Sequence, residues 1–129
     1  MKEFFTYLAA SLFLLAFTIA PVTGFDDIVQ ALKSGNATQL ARQFDQSVDL
    51  NIAGKSQTCN PAQGEALLKD FFAQHPVKNF QVIHKGQSAG SEFLIGQLQT
   101  RTGNYRVTLY MKLIGNRQLI QDISFEEAG

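Results

Sequence analysis

Residues 31–45 read ALKSGNATQLARQFD, a helical pattern broken at Gly35-Asn36 and resumed at once. Just upstream, Phe25, Ile28, Val29 and Leu32 recur at helical spacing and form one apolar stripe on a short helix. Asp26 and Asp27 fall in its first turn and Lys33 in its last, which suits the helix dipole. Gly35 can take the left-handed conformation that ends a helix. Asn36 can then cap a second one, with Gln39 three residues on completing a capping box. The second helix presents Leu40, Ala41 and Phe44 inward. Helices this short are marginal alone, so both must pack against something else.

That something follows directly. In SVDLNIAG (47–54), Val48, Leu50 and Ile52 alternate with Asp49 and Asn51, the pattern of a half-buried strand. Gly54-Lys55 turns it, and SQTC (56–59) pairs back as a short second strand. NPAQ (60–63) opens a third helix with Asn60 as cap, Pro61 at its first position and Gln63 closing a capping box. Leu67, Leu68, Phe71 and Phe72 form its apolar stripe, and Pro76 stops it.

Beyond Pro76 the period changes to two. NFQVIHK (79–85), SEFLIGQLQT (91–100), YRVTLYMKLI (105–114) and QLIQDISFE (118–126) read as strands. They are joined by GQSAG, RTGN and Gly115-Asn116. Short polar turns between successive strands make an antiparallel meander. The clearest strand puts Tyr105, Val107, Leu109, Met111 and Leu113 on one face. The order is therefore helix, helix, strand, short strand, helix and four long strands: an α+β domain with its helices on one side of a bent antiparallel sheet.

This order resembles the cone-shaped fold of the nuclear-transport-factor-2-like (cystatin-like) superfamily, which includes ketosteroid isomerases and polyketide cyclases. More closely, FDDIVQALKSGNATQLARQFDQSVDLNI, LLKDFFAQHP, FQVIHKG, YRVTLYMK and LIQDISFE are similar to the bacterial exported family called domain of unknown function 4783. The similarity runs from Phe25 to about Glu127. It implies the cone and an exported protein, and it implies no reaction.

Composition narrows the function classes. The chain has 129 residues, enough for one domain. Lys+Arg and Asp+Glu are both 11, so the net charge is zero, against a binder of nucleic-acid phosphates. The one cysteine, Cys59, excludes an internal disulfide. The start of the chain differs from the rest. Lys2 precedes a nearly unbroken apolar run from Phe4 to Ala20, then PVTG (21–24). This is the tripartite pattern of a signal peptide over residues 1–24, cut between Gly24 and Phe25, with Val22 and Gly24 as the small residues before the cut. It leaves a single domain over 25–129, periplasmic or extracellular, with no membrane attachment after cleavage. The apolar run is about long enough to begin crossing a bilayer, so an uncleaved anchor is the rival reading.

No residue pattern spells out a reaction. His84 is a candidate general base: if Phe80 and Val82 point inward, so does His84. Its plain alternative is a histidine at the sheet rim. His75, at a helix end beside Pro76, complements the dipole. The two histidines have no metal-ligand spacing. Asp122 is the second weak catalytic candidate, with a solvent-side position as its alternative, and alternation turns Asp49 away from Val48 and Leu50. The resemblance to ketosteroid isomerases would require a first-helix tyrosine and a buried acid, and the first helix offers only Phe25, Ile28, Val29 and Leu32. Cys59 before a helix start is a conceivable thiolate, or an inert buried thiol. GKSQT (54–58) lacks the upstream glycine of a phosphate loop, so no cofactor is implied. Arg106, Thr108, Tyr110 and Lys112 form a mixed strand face suited to pairing, including a homodimer through the sheet. The reading that results is a non-catalytic binder of a small apolar ligand or a protein partner. Its alternatives are an isomerase- or cyclase-type enzyme using Asp122 or His84, or a structural dimerising subunit.

The leader reading makes one direct prediction. N-terminal sequencing of the protein from its native host returns Phe25 as the first residue. A membrane-bound product starting at Met1 contradicts it.

Overall fold

The break at Gly35 is a built corner. In the computed structural model, which describes residues 24–128, helix α1 (Phe25–Ser34) ends on Gly35 at φ 63°, ψ 37°. The N–H groups that follow return to the carbonyls of Leu32 and Ala31. Helix α2 (Ala37–Ala41) starts on Asn36, whose side chain accepts from the Gln39 N–H at 3.0 Å. Ile28, Ala31, Leu32, Leu40 and Ala41 are buried, and Phe25 and Val29 pack partly buried beside them.

The rest of the order is β1 (Phe44–Ile52), β2 (Lys55–Cys59), α3 (Pro61–Gln74), β3 (Val77–Ser88), β4 (Ser91–Thr100), β5 (Gly103–Ile114) and β6 (Arg117–Glu127). It is the α+β order expected. The strands form one sheet in the order β2-β1-β6-β5-β4-β3. Every pairing is antiparallel except β1 with β6, which is parallel. Helix α3 carries the full capping box of Asn60 and Gln63 with Pro61 in its first turn. Register shifts in the β1–β6, β3–β4 and β5–β6 pairings mark irregularities, and such bulges sharpen the bend and twist of a strand.

Three details depart from the sequence reading. Phe44 opens β1 instead of riding on α2. It pairs with Ile120, the Ile120 N–H donates to the Gln43 carbonyl at 2.6 Å, and the pairing wins over the helical spacing from Leu40. Its ring lies against Gly64 of α3, where a Cβ would come within 2.6 Å of it. In β3 the register slips between Val82 and His84. Phe80 is buried, Val82 is partly exposed and His84 does not share the inward face. Leu113, expected inward with Tyr105, Val107, Leu109 and Met111, is 42% exposed. It lies in the last turn of ladder before the β5–β6 hairpin, past the reach of the core.

The core runs between the helices and one face of the sheet. Phe71 is 5% exposed. Its ring lies 5.1 Å from Tyr105 and 4.9 Å from Phe125. Phe71→Ala should therefore cost about 3–5 kcal/mol in stability, read by chemical denaturation. A loss below about 1 kcal/mol would place Phe71 outside the core.

Candidate functional site

The hairpin β1–β2 and the flank of α3 enclose a groove of about 340 Å³. Register builds it. Gln57 lies opposite Leu50 and Lys55 opposite Ile52, and residues paired this way share a face of the sheet. Leu50 and Ile52 supply an apolar wall with Lys55 and Gln57 beside it. From α3, Leu67 and Phe71 complete the apolar lining, while Asp70 and Gln74 stand one helical step away on the same flank. The result is an apolar floor with a polar rim of one cation, one carboxylate and two amides.

His75 closes one end of the groove. It is the C-cap residue of α3, and its backbone N–H donates to Phe71. The ring turns toward the β4–β5 turn. Its Nδ1 lies within hydrogen-bond distance of Thr102 Oγ1 and is 3.4 Å from the Tyr105 hydroxyl. Thr100 steadies the turn, donating to the Gly103 carbonyl at 2.6 Å and accepting from the Thr102 N–H. Burial, and then the charge of Glu127, push the Tyr105 hydroxyl above its ordinary pKa of 10.0. Sequence reasoning missed this grouping because the three side chains come from a helix end, a turn and a strand. Only the abrupt stop at Pro76 marked the place.

The two residues singled out for chemistry lie elsewhere. His84 is exposed on the edge strand β3, opposite Ile95, with its ring 5.4 Å from Phe93. Phe93 alternates with the buried Leu94, so both rings lie on the sheet face away from the helices. Asp122 is on that outer face too, paired with Asp49 across the parallel β1–β6 ladder. The two carboxylates border a shallow depression with Thr58 and Ser124, and the Thr58 hydroxyl donates to Asp49 at 2.7 Å. Partial burial, then the Asp49 charge, raise the Asp122 pKa above 3.8.

Arg106 and Lys112 are exposed on this face, with Thr108 half-buried and Tyr110 44% exposed. Ile83 and Ile95 line a neighbouring apolar depression with Arg106. Cys59 is buried, its thiol facing the Val48 carbonyl at 3.7 Å. Burial, then Asp49, raise its pKa above 9.0, the opposite of an activated thiolate. Among the described residues, no three of His, Cys, Asp and Glu cluster to hold a metal, and no helix is long and apolar enough to cross a membrane. The leader expected over residues 1–24 lies outside the described residues except for its last position, Gly24.

A family model described as domain of unknown function (DUF4783) matches residues 25–126. No curated protein matches the chain. A solved structure of a family member from Bacteroides uniformis is 31% identical, covers 83% of this chain and 99% of its own, and superposes with a TM-score of 0.79. One from Bacteroides ovatus is 28% identical, with coverage of 85% and 99% and the same TM-score. A domain of unknown function with a cystatin-like fold from Nostoc punctiforme is 9% identical, covers 81% and 72%, and reaches a TM-score of 0.64. That likeness is one of fold alone. The architecture is the nuclear-transport-factor-2-like, cystatin-like α+β fold.

The carboxylate pair predicts a pH dependence of definite sign. A carboxyl whose folded pKa is raised weakens the fold as pH rises from its unfolded value through its folded one. Asp122→Asn should therefore raise the melting temperature at pH 7, and the gain should shrink to nothing as pH falls below 3.8. Melting curves of both proteins across pH check this. A constant difference would mean that neither the burial of Asp122 nor the Asp49 charge penalises its ionised form.

Proposed function

The chain belongs to the family described as domain of unknown function DUF4783, and from that premise we propose that it is an exported, non-catalytic module that binds a small amphipathic ligand between α3 and the β1–β2 hairpin. The observation that carries this is the groove's composition. Leu50, Ile52, Leu67 and Phe71 form an apolar floor, and Lys55, Gln57 and Gln74 stand at its rim. Sites for small molecules have this plan, an apolar body with a few convergent polar groups, in volumes of about 300–1,000 Å³. Lys55 gives the rim a cation for an acidic head group, while Asp70 disfavours a second negative charge. Export rests on the Lys2, Phe4–Ala20 and Pro21–Gly24 pattern.

The juxtaposition of His75 and Tyr105 supports a second reading, proton transfer at the end of the groove. An acyl or isomerase mechanism asks for more, a base and oxyanion donors converging on one reacting atom. Among the described residues no carboxylate hydrogen-bonds to either ring.

Titration with 1-anilinonaphthalene-8-sulfonate, an apolar body with one anionic head, tests the binding reading. The native protein should bind it saturably at one site. Leu67→Glu and Lys55→Glu should each weaken binding about tenfold or more, equivalent to about 1.4 kcal/mol, without loss of near-ultraviolet circular dichroism. Tyr110→Ala, on the outer face of the sheet, should leave it intact. Affinity unchanged by Leu67→Glu and Lys55→Glu would overturn the groove as the site.

A further inference from the structure

Three segments meet where the described chain begins. Gly24 is buried, with φ 125° and ψ −47°. A Cβ there would lie 3.0 Å from the Gln118 carbonyl and 3.1 Å from Gln43 Oε1. Gln43, between α2 and β1, is 8% exposed, and Gln118, in the first turn of β6's ladder, is 7% exposed. Both side-chain oxygens are buried without a hydrogen-bond partner. Helix α1 has no side-chain cap over its first turn, where Asp26 and Asp27 lie exposed. A buried amide oxygen with no donor forfeits its hydration and gains nothing in return; that of Gln43 faces the Gly24 position, and Gln118 borders the same position through its backbone carbonyl. A group that answers the Gln43 oxygen and the Gln118 backbone carbonyl at once is a cation carrying several N–H donors.

We propose that this corner is a receptor for the α-ammonium that leader removal leaves on Phe25. The proposal rests on the export reading. Hydrolysis of the Gly24–Phe25 amide by a leader peptidase adds one water across the bond. The hydroxyl goes to the Gly24 carbonyl carbon, and that carboxylate departs with the leader. The nitrogen keeps the electron pair and becomes the ammonium of Phe25. Gly24 vacates its place against Gln43 and Gln118, and the ammonium, formerly bonded to the Gly24 carbonyl carbon, turns its three donors into that place. The Gly24 carbonyl no longer accepts the Ile28 N–H, a bond of 2.8 Å. The previously unmet Gln43 oxygen is satisfied in exchange, so the processed chain end becomes a structural part of the domain.

The charges around the corner make the test sharp. Asp26 and Asp27 of α1 favour the ammonium. The positive end of the α1 dipole opposes it, as does Lys85 of β3, whose Nζ stands 4.2 Å from the Phe25 ring centroid. Arg42 and Arg117 adjoin the two glutamines in sequence, and the Arg117 guanidinium donates to the Arg42 carbonyl at 2.8 Å. A bare helix start would depress an amine pKa and Asp26 and Asp27 would raise it, so the fall in pKa on removing the Gln43 acceptor is what reports the receptor.

The experiment uses the processed protein recovered from its native host, beginning at Phe25, with NMR titration of its α-amine. The expected pKa lies about half a unit or more above the ordinary range of about 7.7–8.0. Selective acetylation of that amine should lower the melting temperature by a few degrees. Gln43→Met, which keeps the volume but removes the acceptor, should lower the pKa and narrow that difference, and a pKa it leaves unchanged overturns the receptor. A pKa at or below the ordinary range, or an acetylated form that melts no lower, overturns the receptor. An intact mass starting at Met1 instead overturns the export premise and the trigger with it, so the two failures are told apart.

Discussion

The Phe71 ring is the contact on which the rest of the structure leans. Its centroid lies within 5.6 Å of Phe72, 4.8 Å of His75, 5.1 Å of Tyr105 and 4.9 Å of Phe125. Edge and tilted ring pairs of this kind contribute about 0.5–1.5 kcal/mol each beyond their burial. They clamp the C-terminal half of α3 to β5 and β6. With that half fixed, Leu68 and Phe72 go into the core, and the adjoining flank, Leu67 and Asp70, is left facing the hairpin. The same clamp carries His75 to Tyr105 and Thr102. Core and groove are two sides of one helix, divided at Phe71.

The other wall of the groove depends on the parallel pairing of the first strand with the last. Leu50 lies opposite Ile123 and Ile52 opposite Phe125, so β1 shares the inward face of β6, and β2 becomes the outer edge of the sheet. Asp45 adds a bridge, accepting from the Gln121 side-chain amide at 2.8 Å. That bond, then the Gln46 N–H, hold the Asp45 carboxyl below its ordinary pKa. The same register sets Asp49 beside Asp122, an adverse contact tolerated because that face is open to water. Alternation thus gives the ladder a favourable inner face and an electrostatically strained outer one.

Much of this was legible because it is local. The Gly35 corner, the Asn60–Pro61–Gln63 start and the two-residue period after Pro76 are each signals spanning a few residues, and each appears where the sequence placed it. What escaped were consequences of distant partners. Phe44 fits a helix by spacing from Leu40 and becomes a strand residue only because Ile120 pairs with it. His84 leaves the inward phase at a bulge that nothing in NFQVIHK announces. The groove was half legible. Leu50, Ile52, Leu67 and Phe71 were readable as apolar faces, but that their faces leave a gap follows from how the helix and the hairpin meet. His75 needed the β4–β5 turn to reveal its neighbours.

The central claim is that the gap between α3 and the hairpin is where a ligand sits, and NMR mapping tests it most directly. With backbone amides assigned, addition of an amphipathic carboxylate should shift the signals of Leu50, Ile52, Leu67, Phe71 and His75 together, along a single saturating curve. Shifts concentrated instead on Ile83, Ile95, Arg106 and Tyr110 would place the binding surface on the outer face of the sheet and contradict the account.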